Sequence, residues 1–497
     1  MLYLQKPYNI MNEEIYTLRP ERLWHYFGEI LKIPRPSKKE EKIAAYLLDF
    51  GRKHQLETLR DAVGNVLIRK PASPGRENIS PVVLQSHIDM VCEKNAGTEH
   101  DFDKDPIDAY IEDGWVSARG TTLGADDGIG IAAQLAILES DSIEHGPVEC
   151  LFTVDEETGL TGAFGLDPKL LQGRILLNLD SEDDGQIFIG CAGGKDTTAT
   201  LKYAREKAPA AHAAWKVSVT GLRGGHSGDD IQKGYGNANK ILNRLLWNAG
   251  RTHGLRLSEI DAGNLRNAIA REGFAIVMVP EKETAAFTAF VGEFNNTLRK
   301  EYKITEPGLN ISVQETGSPG SVIGREAQDK LLNALYACPH GVIAWSREIP
   351  DFVETSTNLA SVKTRDGFFE ITTSQRSSVE SAKHDVASMV AATFMLAGAE
   401  VRHSDGYPGW TPNPESEIVD ITAQVYEDLF STKPEVLAIH AGLECGLIGD
   451  KYPGMDMVSY GPTIKGAHSP DERINIETVE KFWKMTLEIL KRIPEGK

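Results

Sequence analysis

Cysteine is scarce in this 497-residue chain. The five present (Cys92, Cys150, Cys191, Cys338 and Cys445) are odd in number, dispersed and never paired as CxxC. That spacing excludes a disulfide scaffold and a thiolate-rich zinc site, and it points to a reducing, cytoplasmic environment. Basic charge is also short: 53 Lys and Arg stand against 72 Asp and Glu, a formal net charge of -19. Nucleic acid and anionic membranes call for a basic patch, so neither is expected as a partner. Long apolar runs are missing too; none approaches the roughly 18 residues of a membrane span. The N-terminus lacks a basic segment followed by an apolar one, so no signal peptide is expected. Met11 offers a second start, and residues 1–10 read as an extension without structural role.

What the chain does have is apolar residue enough for a core, 41%, and length enough for about two to four domains at roughly 100–200 residues each. Two periodicities alternate up to residue 190. Helical spacing of apolar residues predicts helices over 22–31 and 40–53, with Ser37 as N-cap of the second. Short runs rich in Val, Ile and Leu predict strands over 65–68, 82–84, 148–154 and 175–179, and a small-residue helix covers 128–138. Strands alternating with helices imply an α/β domain with a mostly parallel sheet flanked by helices, whose ligands sit at the carboxyl ends of the strands. After the Gly-rich segment 191–195 the character changes. Alternating runs at 215–220, 273–279, 310–315 and 368–373 are interleaved with helical runs at 237–247 and 283–298, which predicts one or two inserted α+β sandwiches. Helical patterns return at 415–430 and 478–492. The expected organisation is a discontinuous catalytic domain, residues 1–194 and 398–497, interrupted by an inserted α+β lid, residues 195–397.

Polar residues gather where the predicted strands end. His87 and Asp89 follow the run 82–84, and two residues of extended chain place them on one side. A carboxylate beside an imidazole is a common metal-ligand pairing, although an HxD taken alone more often just satisfies a hydrogen bond. Asp126 and Asp127 stand before the small-residue helix, where helix capping explains them as well as metal binding does. Asp155, Glu156 and Glu157 end the run 148–154; adjacent acids repel one another and need a cation. Neighbouring side chains of a strand point apart, leaving one carboxylate for metal and the other for protons. Asp180 closes another buried strand, and His468 lies far away in Gly466-Ala467-His468-Ser469-Pro470-Asp471-Glu472. The convergence decides: each strand end supplies a carboxylate or an imidazole. His87, Asp126, Glu157, Asp180 and His468 make a mixed nitrogen and oxygen set that suits zinc, cobalt or manganese. Two ions about 3.5–4 Å apart, sharing one carboxylate, would hold a water as hydroxide near neutral pH, with Glu156 adjacent as base.

The series SHIDM, TTLGADDGIGIA, FTVDEETG, LNLDSED, GLRGGHSGDDI and GAHSPDE resembles the M20 family of co-catalytic metallopeptidases. Within that family it is similar to the aminoacyl-histidine dipeptidases (Xaa-His dipeptidases, carnosine-hydrolysing in many bacteria). The resemblance runs in order from about Leu18 to the C-terminus. It implies that His87 and Asp180 hold one ion, Glu157 and His468 the other, and that Asp126 bridges them. Asp89 would orient the His87 ring and Glu156 would be the general base. A cis peptide is implied between Asp126 and Asp127. In the lid, His226 would stabilise the tetrahedral intermediate and Asn267 would assist substrate binding. Arg376 would grip the C-terminal carboxylate of a small peptide, for which its bidentate fork is suited. Gly442 would contact substrate through its backbone, while His440 reads as structural. Two divalent ions (zinc first, cobalt or manganese as alternatives), lid closure over a dipeptide and a homodimer through the lid complete the expectation. Metal ligands do not separate a Xaa-His dipeptidase from a broad dipeptidase, a tripeptidase or an N-acyl amino acid deacylase. The long insert favours the dipeptidases, and the intact ligand set with Glu156 disfavours a binding protein without catalysis.

Overall fold

The computed structural model describes residues 13–413 and 415–496; the expectation for residues 1–10 lies outside the described residues. Apolar periodicity becomes helix at the expected places. Glu21–Ile30 buries Leu23, Trp24, Phe27 and Ile30 along one face, and Glu41–Lys53 buries Ile43, Ala44, Leu47 and Phe50. Ser37 does not cap the second helix. Glu40 occupies the N-cap position without a side-chain cap bond, and the Ser37 hydroxyl donates to Asp89 Oδ2 at 2.7 Å. A buried carboxylate is the stronger acceptor and takes the hydroxyl. Ile476–Arg492 and Glu417–Phe430 are capped by Asn475 and Ser416, whose side chains accept from the amides of Thr478 and Val419.

The chain divides into two compact units. Among the described residues, the first comprises those up to Gly190, Pro412–Ala438 and those from Glu444 onward. Val148–Thr153, Val82–His87, Ile175–Asn178 and Asp456–Ser459 lie side by side in parallel in the middle of its eight-stranded sheet. Every residue of the first two strands is buried, as befits strands covered on both faces. Outside them, Val66–Lys70 and Glu57–Arg60 on one side and Gln186–Cys191 on the other pair antiparallel. The parallel core read from the sequence is thus four strands wide. The largely exposed Glu57–Arg60 needs no helical crossover, because an antiparallel edge can be reached by a short connection. Register brings the ligand-bearing ends together: His87 lies opposite Thr153, and Gln85 opposite Asn178, which lies opposite Ser459. A smaller antiparallel sheet holds Ala109–Glu112, Trp115–Ala118, Arg473–Asn475 and Ile464–Lys465. Its last two strands form a hairpin whose connection is residues 466–472.

The second unit, Cys191–Thr411 with Ile439–Leu443, is built on one nine-stranded antiparallel sheet rather than two sandwiches. Helices Ala238–Thr252, Thr284–Glu301, Arg325–Ala337 and Glu380–Leu396 contribute Leu242, Phe287, Leu331 and Phe394 to one core shared with strand residues such as Val217 and Val277. Glu400–His403, read with the outer segment 398–497, pairs with Gly193–Lys202 and lies in this unit. Its short, mostly exposed sequence carries no pattern that assigns it to either sheet. No helix among the described residues is long and apolar enough to cross a membrane.

Candidate metal centre

Five side chains converge beyond the central strands of the first unit. His87 ends Val82–His87, Asp180 lies two residues past Ile175–Asn178, and Glu157 stands on the helical turn Glu156–Gly159. Asp126 opens Ala125–Glu139, and His468 sits in the hairpin connection. His87 Nε2 is 3.0 Å from Asp126 Oδ1 and 3.5 Å from Asp180 Oδ1. His468 Nε2 is 3.1 Å from both Asp126 Oδ2 and Glu157 Oε2. Asp126 therefore turns one oxygen to each imidazole. The ligand atoms of His87, Asp126 and Asp180 lie within 4.8 Å of one another, as do those of Asp126, Glu157 and His468. Two triads of nitrogen and oxygen donors that share one carboxylate can hold a pair of divalent cations. Glu157 Oε1, buried without a hydrogen-bond partner, fits a carboxylate shaped around a cation.

Local backbone structure separates the acids that the sequence leaves undivided. Asp126 has non-helical angles (φ -82°, ψ 110°), and its peptide to Asp127 is cis. Asp127 does the capping, its Oδ1 accepting from the Gly130 amide at 3.1 Å. The two acids thus part: Asp127 bonds within the helix, and Asp126 is left facing the two imidazoles. The next strand stops at Thr153, Asp155 takes a φ of 50°, and Glu156 and Glu157 stand on a helical turn rather than in extended chain. Their side chains still diverge, because successive residues of a helix are about 100° apart. Asp89 accepts from the amides of Glu156 at 3.0 Å and Glu157 at 3.2 Å, and its Oδ1 lies 3.4 Å from His87 Nδ1. One buried carboxylate thus contacts both the ring and the turn.

Crowded charges shift one another. Burial would lower the His87 imidazole, yet the Asp180 charge and bonds with Asp126, Asp180 and Asp89 hold it well above the usual range. His468 is pushed up to about 11 by its bonds with Asp126 and Glu157. Burial pushes Asp180 up to about 8. It also drives Glu156 well above the carboxylate range, with repulsion from Asp180, Glu157 and Glu444 adding to it. Asp126 goes the other way: bonds from His468 and His87 overcome its burial and hold it well below. A cation would take the place of these shared protons. Two further acids stand here to which the sequence assigned no role. Burial pushes Glu182 up to about 8 beside Asp126 and Asp180, and its signal lay within the run LNLDSED. Glu444, pushed by burial up to about 7, accepts from Gln85 Nε2 and Thr153 Oγ1, both at 2.6 Å. Nothing in its local sequence marks it.

The sequence model of peptidase family M20/M25/M40 matches residues 83–492. The chain belongs to that family. It is an enzyme, a peptidase of the M20 class. A relative from Escherichia coli (strain K12), the cytosol non-specific dipeptidase, is 44% identical over 481 residues, which are 97% of this chain and 99% of the relative. The crystal structure of aminoacylhistidine dipeptidase from Vibrio alginolyticus matches with a TM-score of 0.89 and 45% identity, over 97% of this chain and 99% of that one. Aminopeptidase PepT from Bacillus cereus shares the fold alone, with a TM-score of 0.61 and 17% identity over 96% and 99% of the two chains.

The second unit of this M20 peptidase gathers the other expected residues. Arg376, buried in Phe368–Ser377, donates to Tyr407 Oη at 3.0 Å and to Ser227 Oγ at 3.3 Å, and lies 3.4 Å from His226 Nε2. It forms no ion pair among the described residues. The Asn267 carbonyl accepts from the Ser227 amide at 2.8 Å, while its side chain is exposed. A Cβ on Gly442 would meet the Tyr407 ring at 2.8 Å, so bare backbone is required there. Tyr407 was not picked out in the sequence. His440 is buried, with Nε2 2.7 Å from Ser356 Oγ.

Proposed function

We propose that this M20 peptidase hydrolyses dipeptides at a two-metal centre, with Xaa-His dipeptides such as carnosine among its preferred substrates. The posture of Asp126, one oxygen toward each imidazole, carries the reading. We assign one ion to His87, Asp180 and Asp126, the other to Glu157, His468 and Asp126, and zinc as the metal with cobalt or manganese as alternatives. Two divalent cations held there would supply Lewis acidity and lower the pKa of a bound water. Glu156, grouped with His87 and Glu157, takes the water proton and passes it to the leaving amine. Asp89 steadies this base through its backbone amide and faces the His87 ring. From the second unit, His226 serves the developing oxyanion, Arg376 the substrate carboxylate, and Asn267 and Gly442 the peptide backbone. A buried guanidinium whose hydrogen-bond partners among the described residues are two hydroxyls and an imidazole supports the assignment of an anion to Arg376.

The name of the E. coli relative supports a cytosolic location and a second reading, broad dipeptide specificity. Exposed Met389, Met395 and Leu396 on Glu380–Leu396 support a homodimer through the second unit, which light scattering checks. The deciding experiment is hydrolysis of carnosine, Gly-His, Ala-Ala, Gly-Gly-Gly and N-acetyl-Ala by metal-reconstituted protein with a chelated control. Chelator-sensitive cleavage centred on the His dipeptides is the expected result. Equal rates on Ala-Ala move the assignment to the broad reading. No turnover with two ions bound overturns catalysis.

A further inference from the structure

The mechanism draws only His468 from the hairpin connection 466–472, yet the last residue of that connection, Glu472, is 2% exposed. Both of its oxygens are engaged. Oε2 accepts from the amides of Leu123 at 2.8 Å and Gly124 at 3.0 Å, and Oε1 from those of Ala125 at 2.7 Å and Asp126 at 3.4 Å. Four consecutive amides thus point at one carboxylate, and the last belongs to the residue that faces both imidazoles. A buried carboxylate depends on such bonds, so the 123–126 backbone cannot shift without stranding a charge.

The connection itself is braced. The Ser469 amide and hydroxyl donate to the Gly466 carbonyl at 3.2 and 2.7 Å, and the Glu472 amide donates to the Ser469 carbonyl at 3.0 Å. His468 at its exposed tip meets the Asp126 side chain, while Glu472 at its buried foot meets the Asp126 backbone. The opposite side of the segment is held as well: the Arg35 guanidinium donates to the carbonyls of Gly124, Asp89 and Ile88. A Cβ on Gly124, whose φ is +71°, would lie 2.6 Å from Arg35 Nη2, so only glycine lets the guanidinium approach.

We propose that Glu472 is a positioning residue: its grip on the 123–126 amides holds Asp126 Oδ2 at the His468–Glu157 position and sets the affinity of that position for a divalent ion. The inference rests on the two-metal reading. Its test is zinc binding to full-length wild type and E472Q, with stoichiometry from elemental analysis and affinities from chelator competition. Gln keeps the size but turns an amide NH₂ toward backbone donors. The wild type is expected to bind two ions. E472Q should bind the first with wild-type affinity and the second about 10- to 100-fold more weakly, the usual effect of losing an outer partner of a metal site. At subsaturating zinc, kcat should fall while KM holds, and E472D should recover part of the affinity.

Both affinities within twofold of wild type in E472Q would overturn the proposal while leaving the two-metal reading in place. Equal weakening at both positions would overturn it in favour of general destabilisation. A wild type that binds fewer than two ions would overturn the underlying reading instead. Should E472Q fail to fold, E472D decides: selective weakening of one position supports the proposal, and two unchanged affinities sink it.

Discussion

Glu156, half-buried, and His440, buried, are both ionisable groups withdrawn from water, for different reasons. Glu156 stands among Asp180, Glu157 and Glu444, where burial and like charge favour its protonated form until cations arrive. Glu156→Gln keeps the shape and removes the base. Metal stoichiometry should stay at the wild-type value while kcat drops by about 10²–10⁴-fold, the span that general base catalysis contributes. Loss of an ion along with turnover would make Glu156 a ligand instead. His440, in contrast, is neutral packing. Burial, with the Arg376 charge adding to it, lowers its pKa to about 3. A lowered imidazole pKa means that protonation favours the unfolded chain. The contribution is therefore full above pH ~6.5 and is lost as pH falls toward ~3. The slope is about 1.4 kcal/mol per pH unit, or about 2 kcal/mol between pH 6.5 and 5. His440→Gln should flatten that part of the acid dependence of the second unit, as read by urea unfolding at both pH values.

At the scale of elements, the pleat stacks two polar layers on the central sheet. Residues two apart share a face, so Gln85 lies beneath His87 and Asn178 beneath Asp180. Across the strands, Asn178 Nδ2 donates to Gln85 Oε1 at 2.6 Å, and Ser459 Oγ donates to Asn178 Oδ1 at 2.5 Å. Glu444 closes the row by accepting from Gln85. Gln85→Leu would leave the Asn178 amide and one bond of Glu444 unmet inside the sheet. Unfolding free energy should fall by roughly 1–3 kcal/mol, and chemical denaturation measures it. The same layer explains what could be read beforehand. His87, Glu157 and Asp180 stood out in the sequence because a polar residue near the end of a buried apolar run is conspicuous, whereas Asp126, ahead of a helix, and His468, in a loop, stood out only by convergence with them. Glu444 and Tyr407 did not, because each acts on segments far away in the chain and its own neighbours carry no pattern; Glu472 lies inside GAHSPDE, but the amides it holds are equally distant in sequence. The parallel centre of the sheet was legible from continuous apolar runs. Its antiparallel margin was not, since a strand such as Glu57–Arg60, mostly exposed, has no distinctive face. Ser37 misled for a related reason: capping is a local inference, and a distant carboxylate, Asp89, outcompeted it.

For the molecule as a whole, the decisive fact is that all five proposed ligands lie in the first unit. Ions that bind the folded state alone stabilise it by about 2.7 kcal/mol each at a free concentration of 100 Kd. Chelation should therefore act unevenly. Amide hydrogen exchange should quicken across 123–130 and 153–160, while the strands Gly193–Lys202 and Phe368–Ser377 of the second unit keep their protection. A uniform change in both units would show that the ions stabilise something other than the centre described.

The order of the five proposed ligands along the chain also bears on when such a centre could form. His87, Asp126, Glu157 and Asp180 are made before the stretch Cys191–Thr411, and His468 after it. At synthesis rates of about 5–20 residues per second, ribosomes spend roughly 10–45 s on that stretch. Throughout that interval the nascent chain carries four of the proposed ligands without the fifth, and without Glu472, whose carboxylate accepts from the Asp126 amide in the finished fold. On the two-metal reading, the centre is complete only once residue 468 of the 497 has been made.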